Sequence, residues 1–278
     1  MLAQLINAFA RASLVAVLVV LPSLMLTSGA QDASHFIILT GFVAGLLVFV
    51  EYTAHSPSIL EFRFAPPYNR IKFTTISVSV LCLAIIARGG DDPGPVAILF
   101  GDIGGAVGAA LDFPYSPVRS VMSLVPAHMP PGFSDFIGMA AGITYAMSLL
   151  MLIAFVLIVR VLGWPVRRGA FNVWMNLPLF DPTGVADVVK KLNREASINI
   201  SVGFVLPFLL PVLVSILMGV LDSGKVLDPI TLIWIICAWA FIPASLIMRG
   251  VAMHRVAELI TAKRQRAYAE AEDELQAV

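Results

Sequence analysis

Cysteine, histidine and charge are all in short supply in this 278-residue chain, and each shortage removes a class of function. The two cysteines, Cys82 and Cys237, each fall within an apolar stretch where they act as small hydrophobes. With no CxxC pair, neither a disulfide framework nor a zinc site is indicated. The four histidines are scattered: His35 and His55 sit at opposite ends of one apolar segment, His128 lies in a polar insert and His254 lies close to the C-terminal basic residues. Haem ligation inside a bundle needs facing histidines, so a bis-His haem is excluded and no cofactor or metal is expected. There is no GxSxG, HExxH or Walker loop, and no carboxylate pair shares a helical face, so no catalytic residue is nominated. The glycine-rich run GDIGGAVG at 101–108 lacks both the lysine and the preceding strand of a phosphate loop.

Charged residues make up 13% of the chain, against roughly a quarter in a soluble domain. Hydrophobic residues make up 59% and the mean hydropathy is +0.90, the composition of an integral membrane protein. Lys and Arg number 18 and so do Asp and Glu, so no net basic field exists to attract nucleic acid.

Six apolar segments are present, at 12–26, 35–50, 71–86, 136–159, 198–221 and 230–248. Each approaches the roughly 20 residues that cross a bilayer core of about 30 Å. The first follows helical spacing of Leu2, Leu5, Ile6 and Phe9 and a single basic residue, Arg11. Its basic flank and the sequence Ser28-Gly29-Ala30 also fit a cleavable signal peptide, but the amphipathic turns before Arg11 lengthen the span and favour a retained helix. Fifteen of the 18 basic residues fall on one set of alternating sides and three, Arg88, Arg119 and Lys225, on the other. By the positive-inside rule both termini are cytoplasmic, and a bacterial inner membrane is the expected setting.

The expected fold is therefore an all-α bundle of six transmembrane helices, arranged as a first three-helix block (1–87), an outer insert (88–135), a second three-helix block (136–249) with a cytoplasmic loop at 160–197, and a cytoplasmic C-terminal helix (250–278). The insert holds five of the 11 Asp residues, Asp91, Asp92, Asp102, Asp112 and Asp135, and only two basic residues. Its stretch 96–111 is apolar enough to tempt a seventh crossing, but a further span would reverse the charge bias, so it reads as re-entrant or interfacial, with a second short amphipathic piece at 118–125. On the cytoplasmic side, a helix start at 181–184 leads into an amphipathic run with Val185, Val188, Val189 and Leu192 on one face. That run is expected to lie along the inner leaflet. Val256, Leu259 and Ile260 make a similar short stripe in the C-terminal helix.

Small residues recur at four-residue spacing in Gly41 and Gly45, in Gly101 and Gly105 with Gly104 and Gly108, and in Gly138, Gly142 and Ala146. Lipid supplies no hydrophobic drive between helices, so glycines at this spacing mark packing faces, within the bundle or against another subunit. Pro207, Pro211 and Pro243 each free a carbonyl and predict kinks in the last two spans. The remaining polar constellation is interfacial: Glu51, His55, Glu61, Arg63 and Arg70, an ordinary charge network or a headgroup site. Three functions remain open. The leading one is a non-catalytic accessory or assembly subunit, partnered by the lipid bilayer and by other membrane subunits or copies of itself. The second is a transporter or channel for an apolar or lipid-like substrate, and the third is a membrane enzyme acting on lipid headgroups. A water-filled midplane cavity would favour transport, and a pocket joining Glu51, His55 and Arg63 would favour chemistry.

Overall fold

The structure, a computed structural model, describes every residue except 1, 27–30, 91–92, 126–128, 130–131, 166–171, 181–186, 221–227 and 277–278. Ser28, Gly29, Ala30, Asp91, Asp92, His128, Val185, Lys225 and the helix start at 181–184 lie outside the described residues. Among the described residues there is no strand. The helices are α1 (Leu2–Leu26), α2 (Gln31–Thr53), α3 (Tyr68–Gly89), α4 (Pro95–Leu111), α5 (Pro117–Met122), α6 (Phe133–Val161), α7 (Val173–Asn176), α8 (Val188–Val220) and α9 (Pro229–Gln276). Six of them, α1, α2, α3, α6, α8 and α9, are long and apolar enough to cross a membrane.

At the centre, α3, α6 and α9 pack on one another, α1 joins them along α3, and α8 lies along α9. The α1–α2 pair shows why small residues are needed. A Cβ placed on Gly45 would stand 3.0 Å from the Ala12 carbonyl oxygen, and one on Gly41 would stand 2.6 Å from the Val20 side chain. Among the described residues α2 packs on α1 and on no other helix. The apolar side chains on its other faces, Phe36, Leu39, Phe42 and Leu46 among them, remain exposed. That pattern is stable in hydrocarbon and costly in water.

The short helix α4 starts at Pro95, where the missing proline N–H costs no intrahelical bond. It lies on α6 and α3. Its contact with α6 is glycine on glycine: a Cβ on Gly108 would stand 2.6 Å from the Gly138 oxygen, and one on Gly142 would stand 2.5 Å from the Gly108 Cα. Gly104 sits over Ile143 in the same seam. Gly101 and Gly105 are different: they lie outside the tight seam with α6. A Cβ on Gly101 would stand 3.9 Å from the Met139 sulfur, an ordinary contact, and one on Gly105 would meet nothing within 4 Å. Four-residue spacing repeats every face of a helix, and contacts alone choose which face is used. Beyond α4, the Ser116 hydroxyl accepts the Arg119 N–H at 3.0 Å to cap α5. The same arginine pairs with Asp112 at 2.8 Å, and this hydrogen bond holds the Asp112 carboxyl below its usual range. Asp102, on α4, is exposed.

Helices α8 and α9 run continuously through Pro207, Pro211 and Pro243. Pro211 has no N–H to offer the carbonyl of Pro207, one turn earlier. The indole Nε1–H of Trp239 on α9 fills that vacancy at 2.8 Å. The prolines thus lie on the buried face of α8 with Gly203, Ala196 and Leu192. A Cβ on Gly203 would stand 2.6 Å from the Pro243 oxygen, and one on Gly250 would stand 2.6 Å from the Ala196 oxygen. These two glycines set the α8–α9 approach, and the sequence reading passed over both.

A further departure concerns the amphipathic runs. Residues 188–192 do not start a separate surface helix; they are the first turns of α8, and their apolar face turns inward. Leu192 and Val256 are both 0% exposed and share one core cluster with Ala252, Met253 and Ala257. The stripe on α8 covers the stripe on α9 in place of the leaflet. With 48 residues, α9 is about 72 Å long at 1.5 Å per residue, more than twice a bilayer core. Polar contacts continue the pairing: His254 Nδ1 lies 2.9 Å from Asn193 Oδ1, and Arg264 reaches Asp187 at 2.8 Å, lowering the pKa of that carboxyl.

Candidate functional site

The end of α6, the starts of α3 and α8 and the middle of α9 meet in the same cluster that holds Leu192 and Val256, at the end of the bundle that holds most of the basic residues. The connection from α2 to α3, residues 54–67, is folded into this end as a plug. Its first half is shaped by two side chains. The Glu51 carboxylate accepts the backbone N–H groups of Ser58, Ile59 and Leu60 at 3.0 to 3.2 Å, and also the Ser58 hydroxyl. The Arg63 guanidinium donates back to the α2 end, to the carbonyls of Glu51, Ala54 at 3.0 Å and His55 at 3.4 Å. One arginine thereby satisfies carbonyls that a helix terminus leaves open. Burial lowers the Arg63 pKa, opposed by the nearby Glu51 charge.

The second half of the plug is aromatic. Phe62 adopts φ +53°, an uncommon value for a residue with a side chain, and its N–H donates to the Asn176 carbonyl at 2.6 Å. The Asn176 side chain accepts the Phe64 N–H at 3.1 Å, and the Trp164 indole donates to the Ala65 carbonyl at 3.1 Å. Phe62, Tyr68, Phe155 and Trp164 pack with ring centroids 4.5 to 6.3 Å apart. The peptide bonds Pro66-Pro67 and Trp164-Pro165, both in this region, are cis.

The sequence grouped Glu51, His55, Glu61, Arg63 and Arg70 as one cluster, but the fold divides it. Glu51, Arg63 and the His55 carbonyl build the plug, whereas Glu61 points to the other side and meets Arg249 on α9. That pair is bidentate, with Nε at 2.7 Å and Nη2 at 2.9 Å, and Glu195 of α8 stands 3.9 Å from Nη2. Arg70 is exposed at the start of α3. Arg249 is 188 residues from Glu61, and no local spacing in the chain announces it.

Beside this pair lies a groove of about 560 Å³ between the plug, α3, α8 and α9. Its polar wall comprises Glu61, Asn69, Lys72, Asn199, Ser245 and Arg249. The Lys72 ammonium is held 5.3 Å from the Tyr68 ring and 6.0 Å from the Phe241 ring, within cation–π range. No carboxylate among the described residues comes within 4.0 Å of it. The Ser245 hydroxyl oxygen is buried without a hydrogen-bond partner. Among the described residues no three His, Cys, Asp or Glu side chains gather in a way that could hold a metal ion.

The arrangement is that of a multi-pass helical protein of membrane-spanning composition with a stapled, polar end. No protein-family model, no curated protein and no solved structure matches the chain.

Proposed function

We propose that this chain is a non-catalytic accessory or assembly subunit, a multi-pass protein of the bacterial inner membrane with both termini in the cytoplasm. The observation that carries the reading is how its interfacial carboxylates are used. Glu51 is saturated by backbone and hydroxyl donors and Glu61 by the fork of Arg249, so each serves as a structural tie. General acid–base work needs a group free to exchange a proton with a substrate. The headgroup-enzyme reading therefore loses its two carboxylate candidates. Transport through a broken helix loses support as well, because α8 runs unbroken through both prolines and the Pro207 carbonyl freed by Pro211 is taken by Trp239. A rigid end with an exposed helical extension suits assembly with other chains, and α4 is read here as a re-entrant or interfacial helix on the opposite, outer side.

Two measurements test this. Purification in mild detergent is expected to yield the chain with co-migrating membrane proteins in fixed proportion, or with copies of itself; a monodisperse single chain would overturn the subunit reading. For orientation, a reporter active only outside the cytoplasm should be active when fused after Ser123 and silent when fused after Gly163. The reverse pattern would overturn the placement of the termini.

A further inference from the structure

The groove beside the Glu61–Arg249 pair contains a lysine that forms no direct ion pair among the described residues, and we propose that it binds the phosphodiester headgroup of a membrane phospholipid. Lys72 supplies the charge: its ammonium rests on Tyr68 and Phe241 and forms no ion pair among the described residues. Arg249 presents a second cation, with Nη1 used in neither of its carboxylate pairs. The Ser245 hydroxyl, buried and unpartnered, adds a donor on the same wall. A lysine anchored over aromatic rings with unused donors around it is a phosphate site by chemistry, since an ammonium binds phosphate as a point charge.

Charge and shape narrow the ligand. Glu61 also lines the groove and Glu195 stands 3.9 Å from the Arg249 guanidinium, so carboxylates already flank the second cation. A monoanionic diester therefore fits better than a phosphate monoester, which would bring a second negative charge up to Glu61 and Glu195. The volume of about 560 Å³ falls in the range of small-molecule pockets, roughly 300 to 1,000 Å³, and exceeds what a bare phosphate fills. Ile59, Leu179 and Ile242 on its rim are 67%, 63% and 48% exposed, an apolar lip on which acyl chains would lie. The proposal stands independently of the subunit reading.

The test uses the full-length chain, delipidated in mild detergent, with thermal unfolding followed as phosphatidylglycerol is added. The lipid is expected to raise the unfolding temperature, and Lys72→Met, which keeps the side-chain length, is expected to weaken that effect about tenfold in lipid concentration, as loss of one charge-assisted contact implies. Lys72→Arg should retain it. Equal response of Lys72→Met and the parent chain would overturn the site. Should Lys72→Met fail to fold, the parent chain decides: an equal shift with uncharged diacylglycerol, or no phospholipid adduct by native mass spectrometry, overturns the proposal. A shift with inorganic phosphate alone would assign the groove to free phosphate and overturn the lipid source. Stronger binding of phosphatidic acid than of phosphatidylglycerol would overturn the diester assignment.

Discussion

Gly142→Leu is expected to destabilise the isolated chain by about 3 kcal/mol or more, at or above the upper end of typical overpacking costs. The reason is what the new side chain meets. Its Cβ would fall 2.5 Å from Gly108 Cα and 2.6 Å from Gly108 N, and backbone cannot swing aside as a side chain can. Helices α4 and α6 must separate, and Gly104 and Gly138 lose their contacts with them. Gly105→Ala provides the contrast on the same helix, since no atom lies within 4 Å of the added methyl group. There, alanine should be neutral or stabilise by roughly 0.5–1 kcal/mol through its better helix propensity. Denaturant or thermal unfolding of the purified chain reads both. An unchanged Gly142→Leu protein would mean that α4 does not lie on α6 in the membrane.

Arg249→Ala should produce an effect of similar size, about 3–5 kcal/mol, because it leaves Glu61 shielded and without its partner. The Glu61 side chain is 10% exposed and that of Arg249 19%, so solvent screens little of the loss. Glu61→Gln should cost less, since the remaining Glu195 at 3.9 Å still balances the guanidinium. The double variant Glu61→Leu with Arg249→Met should recover much of the stability, because removing both charges removes the desolvation cost with them. Arg249→Lys should fall between, as one ammonium cannot make two parallel bonds to a carboxylate. A double variant no more stable than Arg249→Ala would show that the pair is not the tie between the plug and α9.

The extent to which the chain could be read without coordinates varies by region, for physical reasons. The six spans were legible because lipid requires a long apolar run, and this demand is local. The amphipathic turns at 188–192 and 256–260 were legible as stripes but not as partners. An apolar stripe flanked by lysine and arginine has the same pattern whether it covers a leaflet or another helix, and only packing showed that Leu192 and Val256 cover each other. Gly203 and Gly250 could have been found, since Gly203 lies four residues before Pro207 and Gly250 seven after Pro243, each on one helical face with its proline. The groove could not have been found this way, because Glu61, Lys72, Asn199 and Arg249 come from the plug and three different helices.

The amino-acid sequence alone determined the membrane-spanning composition, the number of long apolar helices, the prolines within them and the lack of any metal or nucleophile motif, because each follows from residue type and short-range spacing. The tertiary structure alone decided which glycines touch, where the carbonyl freed by Pro211 finds its donor, and which lysine forms no direct ion pair among the described residues. These depend on distances between residues far apart in the chain, such as the 2.7 Å between Arg249 and Glu61.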